Sequence, residues 1–387
     1  MRYLWFTVTA LVLVTSAKAQ YFSGRNSAMG GTGVASSHYT AAGLANPALL
    51  TRYGENDSFG LILPTVGVLA VDEDELVDAL DQFQADFNTL RANVVSMTAT
   101  PAELTDLSNQ LLAMDGKTAQ LQIGGAFSFA VPSLNLAIVA NSYVDGSIFP
   151  LIDPNDIAQI TGATMASDLD TLQSEMVGLG VAITEIGVAY AMELPLPGMD
   201  LSVGVTPKMQ RVDTFNYSLS VQSFDSADID DPQFRNSQTT FNIDFGAALD
   251  PLPGLTVGLM ARNLVPNDTT TVVTGGRSFA YNIDPTLTVG AAWDSDWFTI
   301  AADVDVTEYE RFKRGDGTQM LRAGAELNLF DWVQLRGGYQ QDLQSTIEDV
   351  YTAGFGLSPF DVLHIDIAGM TDGDNAYGAV VQLAFTF

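Results

Sequence analysis

A period of two runs through nearly the whole chain, and it limits the fold more than any other feature. In one stretch Phe241, Ile243, Phe245, Ala247 and Leu249 occupy alternate positions, opposed by Asn242, Asp244, Gly246 and Ala248. Leu321, Ala323, Ala325, Leu327 and Leu329 alternate with Arg322, Gly324, Glu326 and Asn328 in the same way. Alternation of this kind places one apolar and one polar face on a β-strand and is incompatible with a helix. The uncharged run from Thr118 to Val144 is no exception, since Leu121, Ile123, Phe127 and Phe129 alternate with Gln122, Gly124, Ala126 and Ser128.

Fourteen such segments lie between 57–70 and 377–387, most of them long enough to cross a bilayer as tilted strands. Six short turns alternate with seven longer connections, and both termini fall on the short-turn side. The expected fold is an all-β, antiparallel outer-membrane barrel of about 14 strands over residues 57–387, with both termini in the periplasm of a Gram-negative bacterium. The greasy face meets lipid and the charged face lines a lumen. Trp293, Trp297, Trp332, Phe330 and Phe360 sit at short turns. Tyr281, Tyr309, Tyr339, Tyr351 and Tyr377 sit toward the long loops, so the two sets read as interfacial belts. The terminal Phe387 on an alternating last strand resembles the signal read by the barrel assembly machinery.

Ahead of the barrel, Arg2, the apolar run Leu4–Val14 and Ala17-Lys18-Ala19 read as a signal peptide over residues 1–19. Two long connections, 72–118 and 145–181, carry helical spacing: Leu76, Leu80, Phe83, Phe87 and Leu90 in the first, Ile157, Ile160, Met165, Leu169, Leu172 and Met176 in the second. They are expected to cap the pore or cover the barrel rim.

Composition removes several functions. A net charge of −30 gives no surface that would neutralise a phosphate backbone, so nucleic acid is not a partner. Most of the acidic excess falls on the long loops, facing the cell exterior, where divalent cations or cationic partners would meet it. With no cysteine and two histidines there is little material for a metal site, and no cofactor is implied. Asp372-Gly373-Asp374 lacks the surrounding pattern of a calcium loop.

Residues 20–56 are too rich in glycine and alanine for a barrel strand. Gly30, Gly31 and Gly33, followed by Asn46-Pro47-Ala48, resemble the N-terminal hatch of FadL-type long-chain fatty-acid transporters. That resemblance implies a plug inside a fourteen-stranded barrel, acting as the gate of a channel for small hydrophobic molecules. The glycine run has neither the strand–loop–helix setting nor the lysine of a phosphate cradle. Further along, Arg211-Val212-Asp213-Thr214-Phe215, Arg262-Asn263-Leu264-Val265-Pro266, Ala301-Ala302-Asp303-Val304-Asp305, Leu335-Arg336-Gly337-Gly338-Tyr339 and Gly354-Phe355-Gly356-Leu357-Ser358-Pro359 resemble the conjugal-transfer TraF family of exported proteins. A cysteine-free barrel is distinct from the thioredoxin-like protein that shares the name. This resemblance implies no catalytic residues. It leaves a second reading open, a structural or assembly component of a transfer or secretion apparatus without transport activity.

The alternation turns Arg262, Asp303, Asp305, Arg322, Glu326, Arg336, His364 and Asp366 toward the lumen. Charges so placed must pair or meet water. They form either an ion-pair ladder that stiffens the wall or a polar constriction that contacts a ligand. An outer-membrane hydrolase would need a serine beside His364 or His38, and neither histidine lies in a nucleophile motif.

Overall fold

A computed structural model describes residues 21–54, 57–72, 75–196, 199–226, 229–310, 312, 317–330 and 332–387. The expected signal peptide, and Gln20, Glu55 and Asn56 of the expected hatch, lie outside the described residues.

The alternating segments form one antiparallel ring. Its strands are β1 (Gly60–Ile62 and Val66–Val71), β2 (Ala119–Val131), β3 (Leu136–Leu151), β4 (Glu175–Leu196), β5 (Met199–Ser220), β6 (Arg235–Leu252) and β7 (Leu255–Arg262). The ring continues through β8 (Thr286–Ser295), β9 (Phe298–Asp305), β10 (Met320–Leu329), β11 (Val333–Asp342), β12 (Val350–Leu357), β13 (Leu363–Thr371) and β14 (Ala376–Thr386). Each strand pairs with its sequence neighbours, and β1 closes the ring on β14 with Gly60 opposite Thr386 and Val66 opposite Val381. Closure matters because an unpaired edge in hydrocarbon leaves a row of orphan backbone groups.

The sequence reads β1 as continuous, whereas it is broken at Leu63-Pro64-Thr65. Pro64 has no N–H to give the ladder. The flanking residues compensate: Leu63 N donates to Leu383 O at 3.0 Å, and Thr65 donates to Ala126 O through its N at 2.8 Å and its Oγ1 at 2.9 Å.

The two faces of the ring separate as the alternation requires. Ile300, Leu327, Leu335, Phe241 and Val381 are exposed outward, while Asp303, Asp305, Arg322 and Glu326 are buried inward. Trp293, Trp297 and Trp332 are exposed at short turns. Phe330 and Phe360 are exposed there too, both with positive φ, which presses two bulky residues into tight turns and leaves their rings outside. Tyr351 and Tyr377 are exposed at the opposite level. Tyr281 departs from the expected belt. It is fully buried, with its hydroxyl 3.0 Å from that of Tyr309, because the segment carrying it folds over the inner wall.

That segment is a hairpin, Asn267–Thr270 against Ala280–Ile283, inside what reads in sequence as a plain loop. Asn216 Nδ2 donates to Val272 O and Arg277 O, both at 2.9 Å, tying the hairpin to the inner face of β5. The connection expected over 145–181 is also shorter, since β3 runs on to Leu151 and β4 begins at Glu175. These extended strand ends are covered on both faces. Helices α3 (Leu76–Val95), α4 (Pro101–Ala113), α5 (Pro154–Thr161) and α6 (Ala166–Leu169) form a cluster with Ile148, Met176 and Tyr217, on the outward face. The helical insertions therefore cover the rim. Leu76, Leu80, Phe83, Phe87 and Leu90 are buried as their spacing requires, while Met165 is exposed.

Residues 21–54 occupy the lumen. They form two short helices, α1 (Gly24–Ala28) and α2 (Tyr39–Ala45), and a 3₁₀ turn over Pro47–Thr51. Small residues let this backbone lie against the wall: Ala28, Ala42 and Ala48 are fully buried. The wall answers with glycine. A Cβ at Gly246 would stand 2.0 Å from Asn46 Oδ1, and one at Gly338 2.1 Å from Gly30 N. We therefore expect Gly246→Leu to unseat the segment without opening the ring. Trypsin should then cut at Arg25 or Arg52, which are protected in the parent, while heat-modifiable migration on gels is retained. Equal protection in both proteins would refute this packing.

Candidate functional site

The site is the interface between this inner segment and the wall, and its local structure follows from a few residues. Asn46 ends α2 and starts the 3₁₀ turn. Its Oδ1 accepts from Ala48 N at 3.1 Å, and Pro47 takes the first helical position, where no N–H is needed. Its Nδ2 donates to Val34 O at 2.7 Å and to Ala247 O of β6 at 3.1 Å. One fully buried amide thus caps a turn, clamps the segment on itself and fixes it to the barrel. Gly30 and Gly31 have φ of +68° and +76°, a conformation that costs glycine little. Gly30 N donates to Thr352 Oγ1 at 2.9 Å, and the same hydroxyl donates to Ala28 O at 3.0 Å.

Three groups of wall charges receive the segment. Asp303 Oδ2 accepts from Gly33 N at 2.8 Å and Val34 N at 3.0 Å. Beside it, Arg322 makes paired 3.2 Å contacts with both oxygens of Asp305. In the second group Arg25 of α1 grips Glu326 through Nε at 2.9 Å and a terminal nitrogen at 3.0 Å. Glu326 also binds Arg336, which in turn binds Asp366. In the third, Lys208 lies 3.1 Å from Glu185 and 3.0 Å from Asp244. Arg262, 4.0 Å from Asp244, donates to Leu44 O and Ala45 O at the end of α2. A cation at these last-turn carbonyls satisfies groups that the helix cannot.

His364 is held between two hydroxyls, with Nδ1 2.9 Å from Ser358 Oγ and Nε2 2.8 Å from Thr386 Oγ1. Its second nitrogen thus meets a hydroxyl instead of the carboxylate that orients a hydrolytic histidine. The only other histidine of the chain, His38, sits with its ring centroid 6.5 Å from that of His364. Enclosure in the barrel, and then the Arg25 charge, lower the pKa of the His38 imidazole, whose ring is exposed to the cavity beside it.

The space around the inner segment has two characters. Toward the long loops, Phe149, Val177, Leu179, Val181 and Ile183 of the wall pack with Tyr281, Ile283 and Phe312 in one apolar cluster. Toward the short turns, a cavity of about 460 Å³ lies between the segment and β8–β14, lined by hydroxyls, amides, both histidines and the Arg25–Glu326–Arg336–Asp366 chain.

The structure gathers the eight residues that the alternation assigns to the lumen into groups. Asp303, Asp305 and Arg322 form one, and Glu326, Arg336, Asp366 and His364 another, while Arg262 belongs to a third. Gly30, Gly33 and Asn46 hydrogen-bond to the wall, Pro47 and Ala48 lie against Gly204 of β5, and Gly31 lies beside Arg322. Sequence reasoning missed Lys208 and Glu185, although the same period-of-two rule would have found them, and it placed Asp244 on the polar face of its strand without assigning it to the site. It also missed Arg25, whose partner lies 301 positions away.

A family profile described as "F plasmid transfer operon, TraF, protein" matches residues 43–305. The chain belongs to this family. The match spans β1 to β9, so the motifs quoted at 335–339 and 354–359 lie beyond it. No curated protein sequence matches the chain. Several solved structures share its fold. A TodX monoaromatic hydrocarbon channel with a deltaS2S3 mutation is 13% identical with a TM-score of 0.54, over 95% of this chain and 99% of the other. The toluene transporter TbuX of Ralstonia pickettii is 14% identical with a TM-score of 0.52, over 96% and 99%. The monoaromatic hydrocarbon channel CymD is 12% identical with a TM-score of 0.52, over 96% and 98%. This TraF-family member therefore has the FadL-type outer-membrane barrel fold.

Two expectations follow for the site. Replacing Asp303 with Ala leaves two buried N–H groups unpaired, at a cost of about 1–3 kcal/mol each. Asp303→Ala should speed tryptic cleavage at Arg25 or Arg52 more than Asp303→Asn does, and equal rates would contradict the assigned contacts. Titration of the imidazole signals by NMR should find the His38 midpoint below the ordinary histidine value, because enclosure and the Arg25 charge both disfavour the imidazolium. A midpoint near the ordinary histidine value of about 6.5 would contradict that placement.

Proposed function

We propose that the protein is an outer-membrane channel for small hydrophobic molecules, gated by residues 21–54. One observation carries the reading: the strand ring is complete without the inner segment, which is attached to it by side-chain and backbone hydrogen bonds and ion pairs and, among the described residues, by no shared β-pairing. A plug of this kind can leave its seat while the ring stays closed. The fold shared with monoaromatic hydrocarbon channels supports the hydrophobic cargo, as does the apolar inner wall toward the long loops. The TraF family description favours a second reading, a non-conducting component of a conjugal transfer apparatus.

The absence of native cysteine makes a direct test possible. Ala41 of α2 and Ala384 of β14 belong to one small apolar cluster, so Ala41→Cys with Ala384→Cys offers a bridge between plug and wall. Once mass spectrometry verifies the disulfide, the oxidised protein should lose uptake of a fluorescent hydrophobic probe into outer-membrane vesicles or cells, and reductant should restore it. Uptake equal in both redox states would eliminate the gate. Absence of uptake in the parent protein, combined with loss of mating on clean deletion, would favour the apparatus component.

A further inference from the structure

A second segment of the chain lies inside the barrel without belonging to its wall. Strand β7 ends at Arg262, directly opposite Thr286 where β8 begins, so the ring is complete across residues 263–285. Those residues carry the hairpin of Asn267–Thr270 with Ala280–Ile283, whose arms, among the described residues, pair only with each other. The patch of wall beneath it differs from the rest. The inward side of β9 carries Thr299, Ala301, Asp303 and Asp305, whereas that of β4 carries Val177, Leu179, Val181 and Ile183 in succession before Glu185 begins its polar part. All four apolar side chains are buried, and Tyr281, Ile283 and Phe279 of the hairpin pack with them. Phe312 joins the same cluster, its ring centroid 5.1 Å from that of Tyr281.

Two kinds of contact hold the hairpin in place. Its tip is latched by polar groups at the outer ends of β4 and β5. Asn216 Nδ2 donates to Val272 O and Arg277 O at 2.9 Å, and Thr274 Oγ1 donates to Asn216 O at 2.8 Å. Arg277 also pairs with Glu175, and both side chains are partly exposed. Beneath this latch, rings and branched side chains make the contact. Each kind has a ready substitute: water for the latch at the rim, an apolar molecule for the rings. The near anchor is fixed, because Asn263, Leu264 and Val265 donate their N–H groups to Asp244 Oδ1, Ile243 O and Asn242 Oδ1 at 2.8, 3.0 and 3.0 Å. Movement is thus confined to the chain between Pro266 and Pro285.

We propose that this hairpin is an outer gate, which shuts the barrel by occupying an apolar binding site of its own wall. Tyr281 and Ile283 stand where an uncharged apolar molecule lies against Val177, Leu179, Val181 and Ile183 once the hairpin has swung outward. Four aliphatic side chains in a row offer nothing to replace the hydration of a charged group, so the site selects against ions. A molecule that binds only the uncovered wall shifts the hairpin toward its open position. The inference rests on the channel reading and gives it a second moving part, remote from the plug.

The chain has no cysteine, so Val181→Cys places a single thiol under the hairpin. The full-length protein in detergent micelles is treated with N-phenylmaleimide, an apolar thiol reagent. Labelling should be at least tenfold faster when Asn216→Ala is added to release the latch, and saturating benzene should slow the released protein at least threefold. Labelling of Ala48→Cys, in the seated plug, should not respond to Asn216→Ala, and a parallel rise there would mean general loosening and overturn the assignment. Should the released variant not fold, Gly275→Cys with Ser218→Cys decides, since a Cβ at Gly275 stands 3.1 Å from Ser218 Oγ, close enough for a bridge. The oxidised pair should lose benzene binding in saturation-transfer NMR, and reductant should restore it. Equal labelling with and without Asn216→Ala, no protection by benzene, or equal benzene binding in locked and reduced protein would each overturn the proposal. None of these readouts is transport, so such a result leaves the channel reading standing. Absent uptake with labelling and protection as expected would remove the channel and leave the covered site.

Discussion

Closure of the strand ring is the constraint from which the rest follows. In hydrocarbon no water satisfies a free N–H or C=O, so β1 has to pair with β14 whatever happens inside. Even the break at Pro64 respects this, because Leu63 and Thr65 pass their hydrogen bonds to β14 and β2 around the missing donor. Closure with fourteen strands in turn creates an interior wider than wall side chains fill, since about eight strands mark the size at which they do. The inner segment is the answer to that excess volume. Its alanines and the wall glycines are two sides of one fit, in which backbone approaches backbone because neither carries bulk.

Polar chemistry inside the barrel is set by the same geometry. A strand with a lipid-facing apolar side has its other side free for charge, and charges facing a closed lumen must be paired there. Arg322 with Asp305, Lys208 with Glu185 and Asp244, and Arg336 with Glu326 and Asp366 do this within the wall. The inner segment then adds donors to acceptors that still have capacity: Gly33 and Val34 to Asp303, Arg25 to Glu326.

Much of this was legible in the alternation. Strand number, the inward set from Arg262 to Asp366 and the outward belts need only a period of two and a count of turns. The break in β1 was signalled by Pro64 but hidden by the apolar residues around it. The hairpin at Asn267–Ile283 was not legible, because each arm is four residues and shows too little alternation to distinguish it from loop. Tyr281 was misplaced for the same reason, since an aromatic residue near a long loop points to lipid only if its segment belongs to the ring. At the site, Asp303 and Glu326 were identified as inward charges, but not as the receptors of Gly33 and Arg25. Contacts across some 270 and 301 positions follow from where the plug sits, and no local pattern encodes that.

The pairing scheme also bears on how the proposed gate would move. Were the wall charges dependent on the plug, its departure would strand them, at the several kcal/mol that an unpaired buried ion costs. Most of them are not so dependent. If Arg25 leaves, Glu326 keeps Arg336. If Arg52 leaves, Asp250 keeps the Thr256 hydroxyl at 2.8 Å. Arg262 gives up two carbonyls and stays beside Asp244, whose Oδ1 retains the Asn263 N–H at 2.8 Å. Only Asp303 loses both of the backbone donors that meet its Oδ2, and a vacated seat admits water to replace them. With the plug gone, Asp303 and Asp250 depend on water and a hydroxyl, while Asp305, Glu326, Asp366, Glu185 and Asp244 keep cationic partners in the wall. Unseating then costs mainly the exchange of hydrogen bonds for water and the re-exposure of small apolar side chains, a cost that a ligand with a preference for the unseated state can offset.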